Sequence, residues 1–176
     1  MLGRLILPLL ALAAAPALAG ELGHEHHAHG AHQHGVAQLE VAVDGPTLTI
    51  RLESPLDNLL GFEHAPRTEK QKQAAQGLLA ALRRGDGLFT PTATAGCKLN
   101  EAKVEAPVLE GRADAGDHAD LDADWRYTCA QPARLTGMKV GLFAKYPGLK
   151  RLDAAVVSGK GQAAFRLTRK QPFLSW

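Results

Sequence analysis

A chain of 176 residues suits one compact domain or two small subdomains. Its 20 lysines and arginines nearly balance 18 acids, for a formal charge of +2. No block of basic residues of the kind that holds a phosphate backbone occurs, so neither DNA nor RNA is an expected partner.

Residues 1–19 have the pattern of a secretory signal peptide. Arg4 supplies the positive start, Leu5 to Ala15 an apolar run broken only by Pro8, and Ala17-Leu18-Ala19 a small-x-small cleavage site. Nothing else in the sequence is apolar over the roughly 20 residues that a membrane helix needs. Cleavage after Ala19 and export to a bacterial periplasm are the expectations, with no membrane span in the mature chain.

Residues 20–34 form a histidine-rich tail. His24, His26, His27, His29, His32 and His34 fall within eleven residues and are six of the chain's eight histidines. Neutral imidazole is the commonest protein ligand for zinc, copper and nickel. The intervening glycine and alanine residues would let any three or four imidazoles converge on a tetrahedral ion. Ordering such a tail costs conformational entropy, so affinity near micromolar, about −8 kcal/mol, is expected. It should weaken as pH falls through about 6.5, because protonated imidazole cannot ligate. An amino-terminal copper or nickel clip needs histidine at the third position of the mature chain, whereas His24 would be the fifth.

From Gly35 onward a compact domain is expected, with possible subdomains 35–95 and 96–176. Val36 to Val43 alternates, with Ala37, Leu39, Val41 and Val43 on one face. Asp44-Gly45-Pro46 marks a turn, and Thr47 to Ser54 alternates again, which predicts a half-buried β-hairpin. Leu56 to Phe62 reads as a short helical turn. Thr68-Glu69-Lys70-Gln71 matches a capping box, and Ala74, Ala75, Leu78, Leu79 and Leu82 recur at helical spacing. A helix from Thr68 to Arg84, stopped at Gly85, follows. Residues 86–96 are expected as a loop, Cys97 to Ala106 as a strand, 107–124 as a solvated acidic loop, and Trp125 to Cys129 as a strand. Leu135 to Val140 reads as a strand and Leu142 to Pro147 as a helical turn. Leu152 to Val157 and Gln162 to Thr168 read as a second hairpin. The fold class is therefore α+β, with antiparallel hairpins and a few helices packed on one face.

Cys97 and Cys129 are the chain's two cysteines. In an oxidising compartment such an isolated pair reads as a disulfide, closing a loop of about 33 residues and contributing roughly 3–4 kcal/mol. A thiolate metal site is the rival reading.

Two further groups are candidate metal ligands. Glu63 and His64 stand together after the apolar turn. They read as a fixed ligand pair, or as a histidine hydrogen-bonded to backbone that shapes the start of the helix. Asp117, His118 and Asp120 lie in the acidic stretch with Asp122 and Asp124. A calcium loop of the EF-hand type fails there, because its sixth and twelfth positions, counted from Asp120, are Trp125 and Gln131. A solvated loop and an auxiliary zinc site using His118 and its carboxylate neighbours are the alternatives. Catalysis finds no support, and the chain is not expected to be an enzyme. His24-Glu25 would need histidine where Ala28 stands to make a zinc protease motif, and no nucleophile elbow or phosphate-binding loop is present.

Several segments together resemble the ZrgA family of zinc uptake proteins. They are His34-Gly35-Val36-Ala37-Gln38-Leu39-Glu40-Val41-Ala42, Ser54-Pro55-Leu56-Asp57-Asn58-Leu59-Leu60-Gly61-Phe62-Glu63-His64, Trp125-Arg126-Tyr127-Thr128-Cys129, and Leu142-Phe143 with Tyr146-Pro147-Gly148-Leu149. The resemblance runs from about His34 to the end. It implies a periplasmic zinc binder of a Gram-negative bacterium, accessory to an ABC-type zinc uptake transporter, built from two small α/β units and a histidine-rich loop. Many such proteins carry a run of histidines ahead of the Trp-Cys strand, where this chain has aspartates and only His118. The implied cargo is Zn2+. Periplasmic sequestration of copper or nickel for resistance is the alternative, since histidines accept all three metals. Methionine is nearly absent beyond the signal segment, leaving Met138 alone, which argues against a copper(I) carrier.

Overall fold

The computed structural model describes residues 33–112 and 119–176, and the described residues belong to one compact unit. Nine strands form two sheets in this region, with three short-to-medium helices, so the α+β expectation holds with β structure dominant. The N-terminal tail up to His32, and Asp117 and His118, lie outside the described residues.

The first alternating pair forms the predicted hairpin. Strand β1 (Val36–Asp44) pairs antiparallel with β2 (Thr47–Pro55), Leu39 opposite Leu52 and Val41 opposite Ile50. Their inward side chains are almost wholly buried, while Gln38, Glu40 and Arg51 face solvent. A one-turn helix α1 (Asp57–Leu60) follows, closed by Gly61, whose N–H donates to Asp57 O. Helix α2 (Glu69–Arg84) carries the predicted capping box: Gln71 N–H donates to Thr68 Oγ1, and Thr68 N–H to Gln71 Oε1. Its face of Ala75, Leu78, Leu79 and Leu82 is buried.

Three differences from the sequence expectations have physical reasons. Residues 86–96, expected as a loop, contain β3 (Phe89–Pro91), which with β6 (Gly137–Val140) and β9 (Phe173–Ser175) forms a small second sheet. Three-residue strands are too short to show an alternation. Residues 107–124, expected as one solvated loop, end in the start of β5 (Asp120–Cys129). Asp120, Asp122 and Asp124 are the outward half of that strand, while Leu121 and Ala123 between them are fully buried. Five strand residues thus look loop-like because every second one is an aspartate. Third, the hairpins do not pair only antiparallel: β1 pairs parallel with β7 (Arg151–Ser158).

The large sheet runs in the order β4-β5-β2-β1-β7-β8, where β4 spans Cys97–Glu105 and β8 spans Gly161–Thr168. Strands from both sides of residue 95 therefore share one sheet. Cys97 and Cys129 sit directly opposite each other on β4 and β5 and form the disulfide.

One face of the sheet is covered and holds the core. Trp125 of β5 is its largest fully buried side chain. Its Nε1–H donates to Leu82 O of α2 at 2.8 Å, and Phe89 of β3 meets the indole edge-on, with ring centroids 4.9 Å apart. Gly85, which caps α2 with φ +71°, lies here, and a Cβ on it would come within 2.6 Å of Leu99. A third short helix, α3 (Leu142–Lys145), buries Leu142 and Phe143 in the same core.

Candidate metal centre

His34, the last tail histidine, is set into the fold by its neighbours. Gln33 to Val36 forms a tight turn closed by Val36 N–H to Gln33 O at 3.0 Å. Gly35 takes φ +83°, a conformation that favours glycine. Its N–H donates to Asn58 Oδ1 at 2.5 Å, and its carbonyl accepts from the N–H groups of Lys150 and Arg151 at 2.8 and 2.9 Å. The backbone next to His34 is thus held by α1 on one side and by the start of β7 on the other.

Asn58 is the centre of this clamp. It is one of two buried polar residues among those described, the other being Ser54. Its Nδ2 donates to Val36 O at 2.8 Å and to Ser54 Oγ at 3.2 Å, so donor and acceptor ends of the amide are both used. The chain between Tyr146 and Leu149 packs closely on the same turn. A Cβ on Gly148 would lie 2.5 Å from Asn58 O.

The imidazole of His34 remains largely exposed between two carboxylates. Nε2 lies 3.2 Å from Glu63 Oε2, and Nδ1 lies 3.6 Å from Asp57 Oδ2. The Glu63 contact is within hydrogen-bond reach, whereas the Asp57 contact is longer and purely electrostatic. Nε2 and the Glu63 carboxylate are spaced like two ligands of one ion. The two nitrogens of one ring point apart, so Asp57 and Glu63 do not face a common point. Among the described residues no three His, Cys, Asp or Glu side chains converge on one metal position. The described part therefore shows one imidazole and one carboxylate in hydrogen-bond contact, and no assembled metal site among the described residues.

His64 sits beside it in sequence with a different environment. Its Nδ1 donates to Ala65 O at 2.9 Å, and its ring stacks at a tilt on Phe62, with centroids 5.1 Å apart. That fixes the tautomer with the lone pair on Nε2. Asp120 is on the solvent side of β5, next to Asp122 and opposite Pro55 of β2. Burial, with Glu53 and the flanking aspartates, raises the Asp122 carboxyl above the usual carboxylate range. Cys97 and Cys129 are closed as a disulfide, which removes thiolate from the donor set. Asp57 and Asn58 were not singled out as site residues by spacing. The available signal is a polar pair one residue beyond a strand-ending Ser-Pro, after Leu56.

The described residues thus define a β-rich domain that presents an oriented imidazole and a carboxylate where a histidine-rich segment joins it, a donor set suited to a borderline divalent cation. The chain belongs to the ZrgA family of zinc uptake proteins, whose family model matches residues 31–176. No curated protein matches it significantly. Among the described residues no helix is long and apolar enough to cross a membrane.

Proposed function

We propose that this chain is a periplasmic zinc-binding protein, accessory to an ABC-type zinc uptake transporter, that scavenges zinc on its histidine-rich tail. His24, His26, His27, His29, His32 and His34 are the collecting ligands, and Glu63 with His34 forms the fixed end of the site. The observation that carries this reading is the 3.2 Å approach of His34 Nε2 to Glu63, with Asp57 behind the ring and the backbone pinned by Asn58. His64, with its lone pair on Nε2, is a further candidate ligand, as are Asp117, His118 and Asp120 for an auxiliary site. Zinc is cargo in this reading, and the chain has no catalytic role.

Nitrogen and oxygen donors suit zinc, nickel or copper(II). Copper(I) is disfavoured because Met138 is buried in the core and both cysteines are oxidised. A disulfide also fits an oxidising compartment. Calorimetric titration of zinc into the chain from Gly20, and into a variant starting at Gly35, tests the proposal. Loss of most binding sites in the shorter variant is the expected result. Equal stoichiometry and affinity in both would refute the tail as collector. Induction by zinc starvation supports uptake, whereas induction by copper or nickel excess would support sequestration instead.

A further inference from the structure

The two edges of the large sheet are built differently. Edge strand β4 carries Lys98, Glu101, Lys103 and Glu105 and is interrupted by a bulge between Leu99 and Glu101. Charges and bulges are the usual devices that keep an edge from pairing with another chain. The opposite edge, β8, reads Gly161-Gln-Ala-Ala-Phe-Arg-Leu-Thr168, with one charge, no proline and an unbroken register against β7. In an antiparallel pair alternate residues turn both backbone groups outward. Between Gln162 and Leu167 those outward groups meet no backbone partner among the described residues.

The surroundings of this edge are apolar and basic. Val157 and Phe173 are the exposed large hydrophobic side chains among the described residues. Val157 lies opposite Gln162 on β7, whereas Phe173 belongs to β9 of the second sheet, where Lys139 Nζ stands 5.9 Å from its ring centroid. Lys160, whose Nζ donates to Trp176 O at 3.2 Å, precedes the strand, Arg166 lies on it, and Arg169 and Lys170 follow it, all exposed. No Asp or Glu occurs after Asp153. Arg166 shares Asp153 with Arg151, whereas Arg169 and Lys170 form no ion pair with a described residue.

We infer that β8 is a docking edge for an extended segment of a partner protein, with an apolar centre and acidic ends, added to the sheet as an antiparallel strand. Main-chain hydrogen bonds to β8 would supply affinity, and the cations at its two ends would select an acidic-ended segment. Charge argues against a second copy as occupant: an antiparallel pair of β8 strands would set Lys160 of each copy against Arg169 and Lys170 of the other.

The test uses the full chain and a blocked synthetic peptide, Asp-Glu-Thr-Val-Ala-Val-Thr-Glu-Asp, with a control in which lysine replaces every acid. Amide hydrogen exchange is followed along β8. The acidic peptide should slow exchange at alternate amides between Gln162 and Leu167, and the lysine peptide should not. In an Arg169→Glu, Lys170→Glu double variant, both positions exposed in a turn, affinity should fall about tenfold. No slowing at peptide concentrations up to about 1 mM overturns the inference, as does equal slowing by both peptides. Protection of β8 without peptide, together with a doubled mass by light scattering, would make a second copy the occupant and also overturn it.

Discussion

Asn58 and His34 carry opposite risks. Asn58 is buried, and its amide answers a backbone N–H, a backbone carbonyl and a hydroxyl. Asn58→Ala strands those groups away from water, so unfolding in urea should show a loss of about 2–4 kcal/mol. Asn58→Asp keeps an acceptor for Gly35 but sets a buried carboxylate against Val36 O, and at pH 7 should cost at least as much as the alanine variant. His34 is exposed, so His34→Ala should leave the urea midpoint unchanged while weakening the tightest zinc step. Glu63→Gln should do the same more mildly, because an amide oxygen still ligates but brings no charge. A calorimetric titration in which neither substitution alters any zinc step would remove the fixed end from the proposed site. The pattern of histidines was visible in the sequence, whereas the clamp was not. Asn58 reaches Gly35 across 23 positions of chain, and nothing in local composition encodes that contact.

At the scale of elements, the legible parts were those with a repeating physical signal. The hairpin alternation and the Thr68 capping box were readable because they recur within a few residues. Thr68→Ala should cost about 1 kcal/mol, measured as a lower thermal midpoint, with helix content otherwise retained. Strand β5 was half legible, since its aspartates mask a continuous inward row that runs from Leu121 through Trp125 and Tyr127 to Cys129. On its outward face Glu53, Asp122 and Glu105 stand in one cross-strand row on β2, β5 and β4. Like charges side by side oppose strand pairing. Asp122 has its carboxyl raised in the folded state. Its favourable term is therefore complete below the unfolded carboxyl value of 3.8 and is lost as pH rises through the raised folded value. Asp122→Asn should accordingly be more stable than the parent at pH 7, with the difference shrinking towards pH 4 in urea unfolding. An unchanged difference across that range would count against burial as the cause that raises the Asp122 carboxyl.

For the whole molecule, the disulfide and the aromatic core set the limits of stability. Reduction of Cys97–Cys129 should lower unfolding free energy by roughly 3–4 kcal/mol. Burial pushes the Tyr127 phenol up to about 12 from an ordinary value of 10.0. That raised value stabilises the fold fully below pH 10 and is lost as pH climbs towards 12. Burial raises the Tyr146 phenol as well, so a spectrophotometric titration should find both tyrosines ionising above 10.0, with Tyr127 ionising only on alkaline unfolding, which Tyr127→Phe should delay. The two sheets, their strand order and the parallel pairing were out of reach of periodicity, because they depend on which distant segments meet.

The parallel contact between β1 and β7 also sets the order in which the protein can be made. β1 leaves the ribosome first and sits in the middle of the finished sheet, yet one of its two neighbours lies near the far end of the chain. Contacts between such remote segments make folding slow, since the intervening loop must be closed before any pairing is gained. A nascent chain stopped before Lys150 has β1 as a bare edge and Gly35 without its two amide donors. The fold therefore completes only after nearly all of the chain has been synthesised, which leaves a long interval in which β1 lacks one of its two strand neighbours.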